Sequence, residues 1–233
     1  MDVTINALKD LKAKLPEHWP NTKANIDKLI SLMPQALARN ATESQSMALG
    51  NHTVTLVRQL ADESELTLDP FLPSYYMMSP MAFQLPGVIE YVSELEGKLR
   101  FQDTNVTGTL SFVNSRLSTL NRVLDEVREA TQKSAAAGGD IKADTTQQLD
   151  SIYKNLESVA TWVKTESAKD LNYESITGTP ETIRQLNDAF NNAFALSRGL
   201  NSTLQADLQA RINSMQLNLI TSGASSAAVL MLA

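Results

Sequence analysis

Cysteine is missing from this 233-residue chain, which removes disulfides, thiolate nucleophiles and cysteine-ligated metals together. Histidine is nearly missing: His18 and His52 stand without a second histidine or carboxylate at metal-ligand spacing, so both read as surface residues, and no metal or cofactor is expected. Basic residues number 20 against 26 acidic ones, a net charge of −6, and they do not cluster. Phosphate recognition needs concentrated Lys and Arg, so the balance argues against nucleic acid as a partner. There is no glycine-rich phosphate loop and no nucleophile elbow. Glu94 and Glu96 point to different faces of a helix and cannot act as a carboxylate pair. Nothing in the sequence supports catalysis.

Glycine and proline are scarce too, at nine and eight, and most of them mark junctions between helical stretches. A first helix is predicted over about residues 3 to 14, stopped by Pro16 and Pro20. A second runs from about Asn21 to Arg39 with Ile26, Leu29, Ile30, Met33 and Leu37 on one face. Thr42 and Gln45 have capping-box spacing and open a third, with Leu49, Val54, Val57, Leu60 and Ala61 apolar. The stretch from Leu66 to Met78 interrupts the pattern without reading as a strand. A fourth helix reaches about Arg100, with Pro80 and Pro86 near its start or bending it.

The second half is clearer. Leu110, Val113, Leu117, Leu120, Leu124 and Val127 repeat at steps of three and four and stop at Gly138 and Gly139. Asp144 and Gln147 are expected to cap the next helix, whose stripe is Leu149, Ile152, Leu156, Val159 and Val163. Thr179-Pro180 opens the last helix, striped by Ile183, Leu186, Phe190, Ala193, Leu200, Leu204, Leu208, Ile212, Met215 and Leu219. Its roughly 44 residues would extend about 65 Å. The fold class is therefore all-α: an elongated antiparallel bundle of the four-helix type, either single or as two stacked bundles sharing long helices. Residues 1–68 form the N-terminal short helices and 69–219 the long-helix bundle. Residues 220–233, free of charge and increasingly apolar, read as the first turns of a membrane helix that needs about 20 residues to cross. No signal peptide opens the chain, so a targeting segment and a first sensor helix are expected upstream of residue 1.

One stretch is distinctive. Leu66-Thr-Leu-Asp-Pro70, then Ser74-Tyr-Tyr-Met-Met78, then Leu85-Pro86, resembles a segment of the periplasmic sensor regions of bacterial methyl-accepting chemotaxis proteins and related sensor kinases. Phe71-Leu72-Pro73 stands where that spacer is usually acidic. The resemblance implies a periplasmic helical-bundle receptor domain in the bacterial inner membrane, flanked by membrane helices. It would bind a small molecule, with an organic acid the best guess, and signal by displacing its last helix. The alternative is a structural or secretion-related bundle with no small-molecule ligand.

Candidate ligand residues follow from chemistry. A guanidinium fork suits a carboxylate, which singles out Arg58, Arg116 and Arg122; the last two flank Leu117 and Leu120 and can approach the bundle interior. Tyr75 and Tyr76 follow the Asp69-Pro70 turn, with Ser74 as the expected helix cap, and either can offer a hydroxyl or pack between helices. With a helix absent upstream, the stripe from Ile183 to Leu219 is expected to be covered by a second copy in a parallel two-fold homodimer.

Overall fold

A computed structural model describes residues 2–38, 41–65, 71–169 and 175–232; for residues 43, 46, 47 and 219–232 it describes the backbone alone. The described residues are almost all helical. In order come α1 (Asp2–Lys14), α2 (Pro20–Ala36), α3 (Glu43–Glu63), α4 (Leu72–Ser79), a π-helical turn (Pro80–Gln84), α5 (Leu85–Arg100), α6 (Val106–Ala136), α7 (Ala143–Ser167) and α8 (Pro180–Leu232). Among the described residues the only strand-like pairing is an isolated bridge between Asp103 and Ile176.

Local chemistry explains most of the boundaries. Thr42 and Gln45 form a full capping box: the Gln45 N–H donates to Thr42 Oγ1 at 3.3 Å, and the Thr42 N–H donates to Gln45 Oε1 at 2.9 Å. The Thr182 N–H donates to Thr179 Oγ1 at 3.1 Å, with Pro180 at the first helical position of α8. α6 is capped by Asn105, whose Oδ1 accepts from the Gly108 N–H at 3.0 Å. It ends in a Schellman turn, with Gly139 N–H bonded to Ser134 O at 2.9 Å and Gly138 N–H to Ala135 O at 3.0 Å. Gly138 takes a φ of +94° there, a conformation that side-chain-bearing residues avoid.

Four expectations are corrected. Ser74 is not a cap: it lies inside α4, where Phe71 is the N-cap, and its hydroxyl donates to Phe71 O at 3.0 Å. Leu66 to Pro70 lie outside the described residues, but from Leu72 the chain is already helical. It continues through the π turn into α5, where the Leu85 N–H reaches back to Pro80 O. Pro80 lacks the N–H and the space for a regular α turn, and the wider turn absorbs it. Asp144 is not the cap of α7, which begins at Ala143 with Lys142 extended before it and no capping side chain. Finally, α8 runs unbroken through residue 232, at 53 residues or about 80 Å, but its stripe fails before its end.

The main core explains where. Leu85, Val88, Val92, Leu95 and Leu99 of α5 bury against the α6 stripe (Leu110 to Val127), the α7 stripe (Leu149 to Val163), and Leu186, Ala189, Ala193, Leu196 and Leu200 of α8. α5 packs on α6, α6 on α7, α7 on α8 and α8 back on α5, a closed circuit. Every predicted stripe residue of α6 and α7 is buried. Along α8 burial holds to Leu204, but Ile212 and Met215 are exposed, Met215 by 63%, because α5 and α7, which cover the stripe, do not extend that far; Leu219 lies outside the described side chains. As far as Leu204 the stripe is thus covered by α5 and α7, and only its outer part, with Ile212 and Met215, is left open. α1, α2 and α3 gather round a smaller core of Ile26, Leu29 and Leu56. Ala61 of α3 joins it to the π turn through Met78 and Ala82. In α3 the buried residues are Ala61, on the predicted stripe, and Leu56, off it, and Leu37 is exposed just past the end of α2.

Candidate functional site

Arg116 is the one candidate arginine held in a structured environment. Its guanidinium lies 5.0 Å from the Tyr91 ring centre and 5.3 Å from that of Phe112, and its Nε stands 2.7 Å from Glu94 Oε2. The side chains are 33% and 18% exposed. Tyr91 sits one turn before Glu94 on α5 and Phe112 one turn before Arg116 on α6, so two facing helices supply the carboxylate and both rings. The paired atoms are sealed from solvent and not aligned as a hydrogen bond, so the contact is held by charge. Burial pushes the Glu94 carboxyl up; Arg116 opposes that shift and the neighbouring Glu90 charge adds to it. A carboxylate ligand at Arg116 would have to displace Glu94.

The other candidates do not join it. Arg122, six positions on, is 65% exposed and pairs with Glu126 along its own helix. Arg58 is exposed on α3. Tyr75 is 45% exposed and meets Tyr76 edge-on at 5.7 Å. Tyr76 is half-buried, with the Lys133 ammonium 6.0 Å from its ring. Lys133 and Arg116 are more than four turns apart on α6, about 25 Å along the axis. The tyrosines and Arg116 therefore cannot share one small ligand.

A second polar cluster, missed in the sequence, gathers where α8 leaves the bundle. Arg211 lies 5.0 Å over the Phe71 ring and its Nη1 donates to Ser74 Oγ at 3.2 Å. Ser134 at the end of α6 donates to Pro73 O at 2.9 Å. One turn before Arg211, burial raises the Asp207 carboxyl, the Asp140 charge adds to this and Arg211 opposes it. Only a register between α4 and α8 could have revealed the cluster, and no local signal encodes one. A shallow depression on α7, lined by Ala143, Thr146, Gln147, Asp150, Ser151 and Lys154, holds none of the candidates. Among the described residues no group of His, Asp and Glu could hold a metal ion, and no helix is long and apolar enough to cross a membrane.

No protein-family model, curated protein or solved structure matches the chain.

Proposed function

We propose that this chain is the periplasmic input domain of a bacterial transmembrane receptor of the chemotaxis type, built as an elongated antiparallel four-helix bundle of α5 to α8 with α1 to α3 as a side unit. The register supports that architecture. Tyr76 lies by Lys133 and Glu94 by Arg116, so partners rise on one helix as they fall on the other; Arg128 with Asp150 and Asp125 with Tyr153 repeat the pattern for α6 and α7.

The observation that carries the functional reading is α8. It is a single helix that packs on α4, α5 and α7 and then runs on beyond the buried core. A helix held this way moves as a rod, and a shift of about 1–2 Å within the bundle appears undiminished at its far end. Such a shift needs a ligand that prefers one arrangement of the helices. The resemblance of residues 66–86 to sensor regions of chemotaxis receptors points the same way, and the Arg116 site between α5 and α6 is the place where a small organic acid would enter, by competing with Glu94.

The test is a panel of mono- and dicarboxylic acids titrated into the full chain. A true ligand at a hundred times its dissociation constant stabilises the folded state by about 2.7 kcal/mol. It should also change the distance between spin labels at the exposed Ser118 of α6 and Ser202 of α8. If no acid raises the Tm and the distance never changes, the receptor reading with an acid ligand is wrong. The scattered positions of Arg58, Arg122 and the two tyrosines favour one other reading, an assembly bundle with no small-molecule ligand, and that outcome would support it.

A further inference from the structure

The main bundle closes with a polar cluster at the end from which α8 departs, and just outside that cluster its surface turns apolar on two adjacent helices. Phe71, Leu72 and Tyr75 at the start of α4 are exposed, and so are Ile212 and Met215 on α8. The two groups are neighbours: Arg211 touches Phe71 with its guanidinium and Ser74 with Nη1, Ile212 is the next residue, and Met215 lies one helical turn further out on the face of Arg211. Exposed aromatic and aliphatic side chains gathered in one place mark an interaction surface rather than ordinary surface scatter.

Charge identifies what the surface meets. Arg211 is the last Asp, Glu, Lys or Arg in the sequence, and everything from Ile212 to Ala233 is uncharged. A protein partner is ordinarily met by an apolar centre within a continuous polar rim. A lipid boundary instead selects apolar and aromatic side chains at one level, an arginine whose stem is apolar and whose head stays in the polar layer, and no charge beyond it. We infer that Phe71, Leu72, Tyr75, Ile212 and Met215 form a collar that seats this end of the bundle in the headgroup boundary of a lipid bilayer, with Arg211 at the level of the polar heads. The inference rests on the reading of α8 as the helix that leads to a membrane. It adds that α4 touches the lipid as well, so that bilayer contact holds α4 and α8 together at the point where movement of α8 leaves the bundle.

Because the chain has no cysteine, a single introduced one can carry a polarity-sensitive fluorophore without competition. The full chain labelled through Leu72→Cys should brighten and shift to the blue on mixing with phosphatidylcholine vesicles, whereas a label at Ser158→Cys, exposed on the outer side of α7, should not respond. In flotation with the same vesicles, Phe71→Ser combined with Leu72→Ser should lower the partition coefficient at least about tenfold, since each apolar side chain withdrawn from water contributes on that scale. Far-ultraviolet circular dichroism of the double variant should match the parent and its Tm should fall only slightly, Leu72 being exposed and Phe71 losing one partly exposed contact with Arg211, and Leu72→Ser alone should lower the partition in the same direction with the Tm unchanged. The collar is wrong if vesicles are bound while the label at position 72 stays dark, if the double variant floats like the parent, or if the label responds to protein concentration without lipid, which would mark a contact between copies. The receptor reading stands or falls on the acid titration in vesicle-free solution, so the two failures can be told apart.

Discussion

Arg116 shows how a single position can change meaning once its neighbours are known. As a residue type beside Leu117 and Leu120 it is a free guanidinium; in the bundle it is neutralised by Glu94 and flanked by Tyr91 and Phe112. Arg116→Ala should therefore destabilise the fold by about 1–3 kcal/mol, less than the loss of a fully buried partner because both side chains remain partly exposed beyond the paired atoms. Adding Glu94→Gln should recover part of that, since the orphaned charge is then removed. Urea unfolding midpoints of the two single variants and the double variant give the coupling, and a zero value would mean that the pair does not form in solution. Arg122→Ala, on an exposed intrahelical pair, should stay within about 0.5 kcal/mol of the parent. Asp103 is the residue that makes acid matter. The Lys98 ammonium, the Asn105 N–H and the Thr109 hydroxyl all bond its carboxylate and hold its pKa at about 2, against an ordinary 3.8. A depressed folded-state pKa stabilises the fold above the unfolded value and stops doing so as pH falls through the folded one. Glu181, held at about 2 by Arg184 and then Gln185, has the same sign. The Tm should therefore drop between about pH 4.5 and 2. Asp103→Asn should lie below the parent at neutral pH and converge with it near pH 2. A constant gap across that range would show that the carboxylate carries no linked stability.

At the scale of elements, what could be read in advance was what repeats. The stripes of α6 and α7 were visible because every third or fourth residue faces the core, and burial follows that period along the whole of both helices. Caps were visible where one side chain makes them, as at Thr42 and Thr179, and misplaced at Ser74 and Asp144, where the starts are set by extended backbone at Phe71 and Lys142. Register between helices was invisible, because nothing local says that Glu94 faces Arg116 or that Arg211 faces Phe71. The end of the α8 stripe was invisible for the same reason: Ile212 and Met215 keep the period after their partners have stopped. The connections carry their own constraints. Gly138→Ala should cost about 1 kcal/mol by forcing a β-carbon into the left-handed turn that ends α6. Gly178 is fixed by contact instead: its N–H donates to Leu99 O at 2.8 Å, and an added β-carbon would sit 3.0 Å from Leu99 Cβ and 3.1 Å from that carbonyl oxygen. Gly178→Ala should therefore cost more, about 1–3 kcal/mol, and loosen the end of the bundle where Asp103 pairs with Ile176. Thermal denaturation ranks the two, and the reverse order would mean that the Leu99 contact yields easily.

For the whole molecule the open question is whether one copy is enough. The expected reason for a dimer, an uncovered stripe on α8, fails for its inner part, since Leu186, Ala189, Ala193, Leu196 and Leu200 are all buried within the chain, and leaves only Ile212 and Met215 open. A different surface takes its place. Phe194 is about half exposed midway along α8, stacked on Phe190 at 6.3 Å and beside the Arg198 guanidinium at 5.6 Å. An aromatic pair edged by arginine is the composition that interface centres favour. It lies on the outward side of the helix that carries the proposed movement. A two-fold axis beside it would set the two α8 helices parallel, and both would reach a membrane together. Sedimentation at micromolar concentration should therefore show a reversible dimer. Phe194→Ser should raise its dissociation constant by at least about tenfold, the loss expected when a central aromatic side chain is truncated. The Tm of the monomer should hardly change, because that side chain is packed on one face only. A parent chain that stays monomeric up to millimolar concentration would remove the dimer. One that dimerises equally well with serine at 194 would move the interface elsewhere on the bundle.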